Sequence, residues 1–181
     1  MRRFVLLVVA VTCLVVPLGG AAPTRSAAAE GAWVAPTWIA IPAIGIEAAI
    51  EEVWIADRQM GVPEDPWNVG WYPELGYVGN DDNVVMSGHV DWWGYGPTVF
   101  ADLAYLGEGD EIVLGGDDGG TYVYLVTETW TVDEWSPRED VRRIFRDTED
   151  EALTLITCTG DFDGEEYAER LIVRAELVEV Y

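Results

Sequence analysis

Two residues in this sequence combine scarcity with reactivity. Beyond residue 29 there is one cysteine, Cys158, and one histidine, His89. A thiolate is a strong nucleophile and an imidazole moves protons near neutral pH, so the pair is a minimal set for covalent acyl transfer. Each stands where an apolar run gives way to a polar loop. Cys158 closes Leu153-Thr-Leu-Ile-Thr157 and precedes Thr159-Gly160-Asp161, while His89 follows Val84-Val-Met-Ser87-Gly88 and precedes Val90-Asp91. The end of a strand in a rigid sheet holds a nucleophile well. Each residue also has an ordinary fate, the thiol as a small core hydrophobe and the imidazole as a hydrogen-bonded structural group. Their joint placement favours the reactive reading.

Acyl transfer through a thiol also needs a group to hold the developing oxyanion. Arg170 opens the last apolar segment, 12 residues after Cys158, and antiparallel strands joined by the intervening loop would bring the two together. Arg174 lies four positions further on and therefore on the same strand face. Spacing alone leaves both arginines open.

The elements that must position these residues read mainly as short strands. Residues 38–46 form an apolar strand interrupted at Pro42, and residues 48–55 a second. Residues 57–83 are rich in Gly, Pro, Asp and Asn and read as loop. Residues 84–87 resume a strand, and residues 98–106 are expected to make two turns of helix before Gly107 ends it. Residues 111–114 and 121–132 flank Gly115-Gly-Asp-Asp-Gly-Gly120 as a hairpin, the second arm alternating in the period of a strand. A short helix is expected over 137–146, then strands over 152–158 and 170–180. Many short strands with one or two short helices predict a mostly β, closed β-barrel.

Composition narrows the setting. The chain has 181 residues, 33 acidic and 10 basic, all ten arginine, for a net charge of -23. Such a charge repels phosphate backbones and excludes a nucleic-acid partner. A hydrophobic fraction of 50% with 9 Trp excludes a disordered acidic tail. Residues 1–29 contain no acid: Arg2-Arg3 precedes an apolar run over 4–18 and small residues follow, which is the pattern of an export segment. Cleavage as a signal peptide and retention as a signal anchor both stay open, since the run through Ala22 approaches the ~20 residues of a span. Cys13 sits inside the apolar run, which argues against lipid modification. The domains expected are therefore a leader at 1–29, a short tether at 30–36 and one domain at 37–181, on the outer face of the cytoplasmic membrane or in the cell wall.

The segments around these residues resemble a known family. Leu153-Thr-Leu-Ile-Thr-Cys158 resembles the TLxTC strand of sortases, Ser87-Gly-His-Val-Asp91 their histidine segment, and Arg170-Leu-Ile-Val-Arg-Ala175 their arginine strand. The GHVDW text and the TCTGDFD text resemble the actinobacterial class F sortases most closely. The resemblance implies an eight-stranded sortase barrel and a cysteine transpeptidase acting on an LPxTG-like sorting signal. By similarity, Cys158 attacks the carbonyl after the threonine of that signal to give a thioester. His89 protonates the departing amine and later takes the proton of an incoming amine from a cell-wall precursor or pilin. Arg170 positions the peptide and the oxyanion, with Arg174 as fallback and Thr157 as a further substrate-binding candidate. The partners implied are surface proteins bearing the sorting signal, the amine acceptor, and the membrane if the leader is retained.

Some class F relatives carry the arginine two positions earlier, beside the tyrosine, where this chain has Ala168 after Tyr167. Some sortases bind calcium, and Asp147, Glu149, Asp150 and Glu151, or Asp161, Asp163, Glu165 and Glu166, could supply oxygens. Neither run follows the spacing of a calcium-binding loop, so solvated acidic loops are the preferred reading and no cofactor is expected. Two other functions compete: a cysteine peptidase that passes the thioester to water, and a non-catalytic wall-binding β-domain whose Trp-rich loops, 67–77 and 92–95, stack on sugars.

Overall fold

The computed structural model describes residues 33–133, 136–148 and 150–181. Eight strands close a barrel: β1 (Pro36–Ile41), β2 (Ile46–Glu52), β3 (Val69–Trp71), β4 (Asn83–Ser87), β5 (Glu111–Gly116), β6 (Thr121–Asp133), β7 (Ala152–Phe162) and β8 (Tyr167–Val180). Their order around the barrel is β1-β2-β3-β4-β7-β8-β6-β5. One α-helix, α1 (Arg138–Phe145), lies between β6 and β7. The closed, mostly β architecture matches the reading of the sequence, and closure removes the exposed sheet edges that invite aggregation.

Local boundaries shift for physical reasons. Proline cannot donate to a ladder, so the apolar run 38–46 is split: Pro42–Ile44 form a 3₁₀ turn capped by Gly45 at φ 67°, and β2 begins at Ile46. β3 falls within the stretch expected to be loop. It is held by parallel pairing with β2 and antiparallel pairing with β4. The helix expected over 98–106 does not form. Thr98 N–H donates to Val90 C=O at 3.1 Å and Phe100 N–H to His89 C=O at 2.9 Å, so the segment is tied to the histidine loop and only Leu103–Tyr105 make a 3₁₀ turn.

The part of the expected tether that is described is packed rather than free. Val34 is buried and bridges Val78, and Ala35 exchanges hydrogen bonds with Asp117. The leader, residues 1–29, and residues 30–32 lie outside the described residues. Among the described residues no helix is long and apolar enough to cross a membrane.

Two apolar clusters form because strand side chains alternate. Leu153 and Leu155 of β7 join Leu171 and Val173 of β8 inside the barrel, with Met86, Phe100 and Tyr124. Ile156 and Ile172 point the other way and, with Tyr72, Val85, Val132 and Ile144 of α1, make a smaller cluster on the outer face. That outer face carries the candidate site.

Candidate active site

β7 stands between β4, which runs parallel to it, and β8, which runs antiparallel. On the β8 side, Cys158 is the direct partner of Arg170 in the register. Direct cross-strand partners share a face, so thiol and guanidinium project together from the outer side of the barrel. On the β4 side, Ser87 is level with Ile156, and Gly88 N–H donates to Ile156 C=O at 3.1 Å. The pairing ends there, and His89 follows Gly88 on the loop beyond β4. The structure thus sets Cys158 opposite Arg170 inside β7, which continues past the expected end at residue 158 to Phe162 because β8 goes on pairing with it, and places His89 two residues beyond the end of β4 on the other side.

The histidine segment is pinned at several points. The Thr157 hydroxyl donates to Gly88 C=O at 2.9 Å in a buried position, and Thr98 donates its hydroxyl to His89 C=O at 2.9 Å. A side chain at Gly88 has no room, since a Cβ there would lie 2.5 Å from Phe100 Cδ2. The imidazole packs edge-on against Trp92 at 4.7 Å between ring centroids, and its Nε2 lies 3.2 Å from Pro63 C=O. A carbonyl only accepts, so Nε2 carries the hydrogen and Nδ1 is left for other work.

Thiol electrostatics are mixed. Cys158 is half-buried, and burial pushes its thiol up from the ordinary range. Arg170 opposes this, while Glu166 and Asp91 add to it. Arg170 is itself occupied: Nη1 donates to Tyr167 C=O at 2.8 Å and Glu169 C=O at 3.1 Å, and Nη2 pairs with Glu166 at 2.7 Å. Tyr167 donates its hydroxyl to Asp91 at 2.7 Å, joining the start of β8 to the histidine loop. That bond, with Asp91 accepting, pushes the phenol up to about 12. The sequence named Asp91 in the histidine segment, Tyr167 beside Ala168 and Glu166 in an acidic run, but not their place beside the thiol, which comes from the β7–β8 pairing and the Tyr167–Asp91 hydrogen bond.

Two of the sequence candidates are placed elsewhere. Arg174 pairs with Thr154, not Cys158, and is buried. It donates to Arg143 C=O at 2.9 Å, Ile144 C=O at 3.0 Å and Thr154 Oγ1 at 3.3 Å, which ties α1 to the sheet. The Thr157 side chain faces the barrel interior with its hydroxyl committed to Gly88, so it does not project toward a peptide beside Cys158.

Among the described residues no three Asp, Glu, His or Cys side chains converge as a metal site. Glu151 is turned inward and accepts from Tyr124 at 2.5 Å, and Asp163 accepts the amides of Glu165 and Glu166. Glu149 lies outside the described residues. In the Trp-rich loops, Trp71 and Tyr72 are core residues, whereas Trp67, Trp93 and Tyr95 are exposed.

The closed eight-stranded barrel pairs a thiol and a guanidinium across β7 and β8 and carries an imidazole on the loop after the neighbouring β4. The Sortase domain family matches residues 39–178, and the chain belongs to the sortase family. Sortases are cell-surface cysteine transpeptidases that act on surface proteins and pilins. The chain is similar to sortase A of Listeria monocytogenes, with 23% identity over 82% of this chain and 90% of that one and a TM-score of 0.60. It is similar to sortase A of Corynebacterium diphtheriae, a lid mutant, with 25% identity over 78% and 69% and a TM-score of 0.60. Sortase C1 of Streptococcus agalactiae gives 25% identity over 78% and 66% and a TM-score of 0.59. No curated protein sequence matches the chain.

Proposed function

We propose that this sortase cleaves an LPxTG-like sorting signal through Cys158 and hands the acyl group to an amine. The observation that carries the reading is the cross-strand pairing of Cys158 on β7 with Arg170 on β8, with His89 on the loop that follows β4, the other neighbour of β7. Cys158 Sγ attacks the carbonyl after the threonine of the signal, and the C–N bond breaks as His89 delivers a proton to the departing amine. The incoming amine attacks the thioester, loses a proton to His89, and releases the thiolate. Arg170, the nearest cation on the thiol's own face, favours the thiolate and the oxyanion. Glu166 must yield its hold on Arg170 when substrate binds. Thr157 acts from behind, holding the histidine loop to β7.

The acceptor is the amine of a cell-wall precursor or a pilin, and export through residues 1–29 delivers the enzyme to it. The class F text around His89 and Cys158 supports that placement within the family.

Intact-mass measurement of the protein with an LPxTG peptide, with and without a small amine, tests the reading. An acyl adduct that Cys158→Ala abolishes, and an amide-linked product only with amine, is the expected result. Cleavage without an amide product under any acceptor would make the protein a peptidase instead.

A further inference from the structure

The Pro63–Glu64 peptide bond makes two hydrogen bonds of different kinds. Its carbonyl lies 3.2 Å from His89 Nε2, and its N–H donates to the Glu51 carboxylate at 3.0 Å. The described residues contain no cis peptide, so this unit is trans and its C=O and N–H point in opposite directions. Glu51, on β2, therefore faces His89 across one peptide plane. The same carboxylate accepts from Asp65 N–H at 3.3 Å and Asn68 Nδ2 at 2.7 Å. Three donors converging on one side chain fix the loop that presents Pro63. Val99 N–H also donates to Pro66 C=O at 3.3 Å, binding that loop to the segment after the histidine.

We infer that Glu51 is a positioning residue that orients His89 through the Pro63–Glu64 peptide, setting Nε2–H and leaving Nδ1 as the nitrogen that exchanges protons during acyl transfer. The chain of contacts is carboxylate to N–H, C=O to Nε2–H. A carboxylate pulling on the amide polarises the peptide and makes its carbonyl a better acceptor, so the second bond strengthens with the first. The arrangement does with an intervening peptide what a carboxylate does directly in Ser-His-Asp enzymes, where it fixes the tautomer and orientation of the imidazole. The hydrogen bonds from Asn68, Glu64 and Asp65 also hold the Glu51 carboxyl below its ordinary range, against a smaller effect of burial.

The inference rests on the proposed role of His89, and its test reads the imidazole separately from activity. The chain has one histidine, so a ¹⁵N-histidine-labelled sample gives one imidazole spin system. At about pH 9, above the ordinary imidazole range, the wild type is expected to show the Nε2–H tautomer. Glu51→Gln keeps the shape of the side chain but removes its charge, and Glu51→Asp restores a carboxylate. In Glu51→Gln the Nε2–H tautomer should lose population to Nδ1–H, and transpeptidation should fall roughly fivefold, through kcat more than KM. Glu51→Asp should recover part of both.

An Nδ1–H tautomer in the wild type would overturn the inference. So would an unchanged tautomer in Glu51→Gln, even with activity reduced, since Glu51 would then act only on loop stability. Full activity in His89→Ala would instead overturn the catalytic reading, and the tautomer result would stand on its own.

Discussion

Arg170 and Arg174 sit four residues apart on the same strand and the same face, yet they belong to different regions of the molecule. Arg170 lies where β7 and β8 run out toward their loop, one-third exposed and paired with a still more exposed Glu166. Arg174 lies under α1 with 4% of its surface accessible, donating to two carbonyls near the end of that helix. Burial pulls the guanidinium of Arg174 down from its ordinary value, whereas the head of Arg170 can turn toward a new anionic partner. The difference shows that a strand's face does not assign a function. What covers the residue does: a helix makes one arginine structural, and an open rim leaves the other available for chemistry.

The largest expected effect tests whether the open end is where bonds change. Cys158→Ala should abolish the acyl adduct and reduce transpeptidation to background, while thermal melting of the protein moves little, because the thiol is only half-buried. Adduct formation at any other residue in this variant would break the comparison outright.

The two arginines should then separate in opposite directions. Arg170→Ala is expected to lower kcat/KM by about 10²–10³-fold, the range for losing an oxyanion donor, with a stability change under about 1 kcal/mol because its ion pair is exposed. Arg174→Ala is expected to lower stability by about 2–4 kcal/mol, since it strips buried acceptors of a charged donor and opens space beneath α1. Its kcat/KM, measured well below the melting range, should fall far less than that of Arg170→Ala. Denaturant unfolding and steady-state kinetics on both variants check the crossing. Equal losses of activity would mean that α1 shapes the peptide groove as well as roofing it.

Thr157→Val sharpens the boundary between the barrel interior and the site. The hydroxyl is buried and holds Gly88 C=O, so its loss should destabilise by about 1 kcal/mol and reduce transpeptidation about tenfold through a loosened histidine loop. Thr157→Ser should restore most of the activity. If Val loses activity while peptide KM alone rises, the hydroxyl would be contacting substrate after all.

How far the sequence reveals all this follows from the same contrast. The barrel and the hairpin around Gly115–Gly120 are legible because apolar alternation and turn residues are local signals, whereas the strand expected to end at Cys158 runs on to Phe162, held by its pairing with β8. The choice between Arg170 and Arg174 is not legible, because a period of two places both on one face, and only the pairing of Cys158 with Arg170 decides it. β3 escapes for a related reason: three residues among glycines and prolines carry too little pattern, and neighbours on both sides make it a strand. The lost helix after Pro97 has helix-compatible residues, but its amides are taken by the histidine loop. Glu51 gives no sequence signal at all, since its link to His89 runs through a backbone peptide.

The smallest expected effect concerns Glu166, which holds Arg170 in the resting enzyme and disfavours the Cys158 thiolate. Glu166→Gln removes both influences in one step. With the negative charge gone, the thiol should titrate lower, so more thiolate is present at a fixed pH below its range and alkylation by iodoacetamide should quicken. Because the carboxylate is largely exposed and screened, the gain should be roughly two- to threefold near neutral pH. High salt should shrink it. Arg170→Ala should move the same rate the other way, raising the thiol's titration and slowing alkylation, because it removes the cation that favours the thiolate. If Glu166→Gln slows alkylation instead, the carboxylate must serve chiefly to hold Arg170 in place toward the thiol. The exposed rim would then be as preorganised as the buried end under α1, and the contrast between the two arginines would narrow to burial alone.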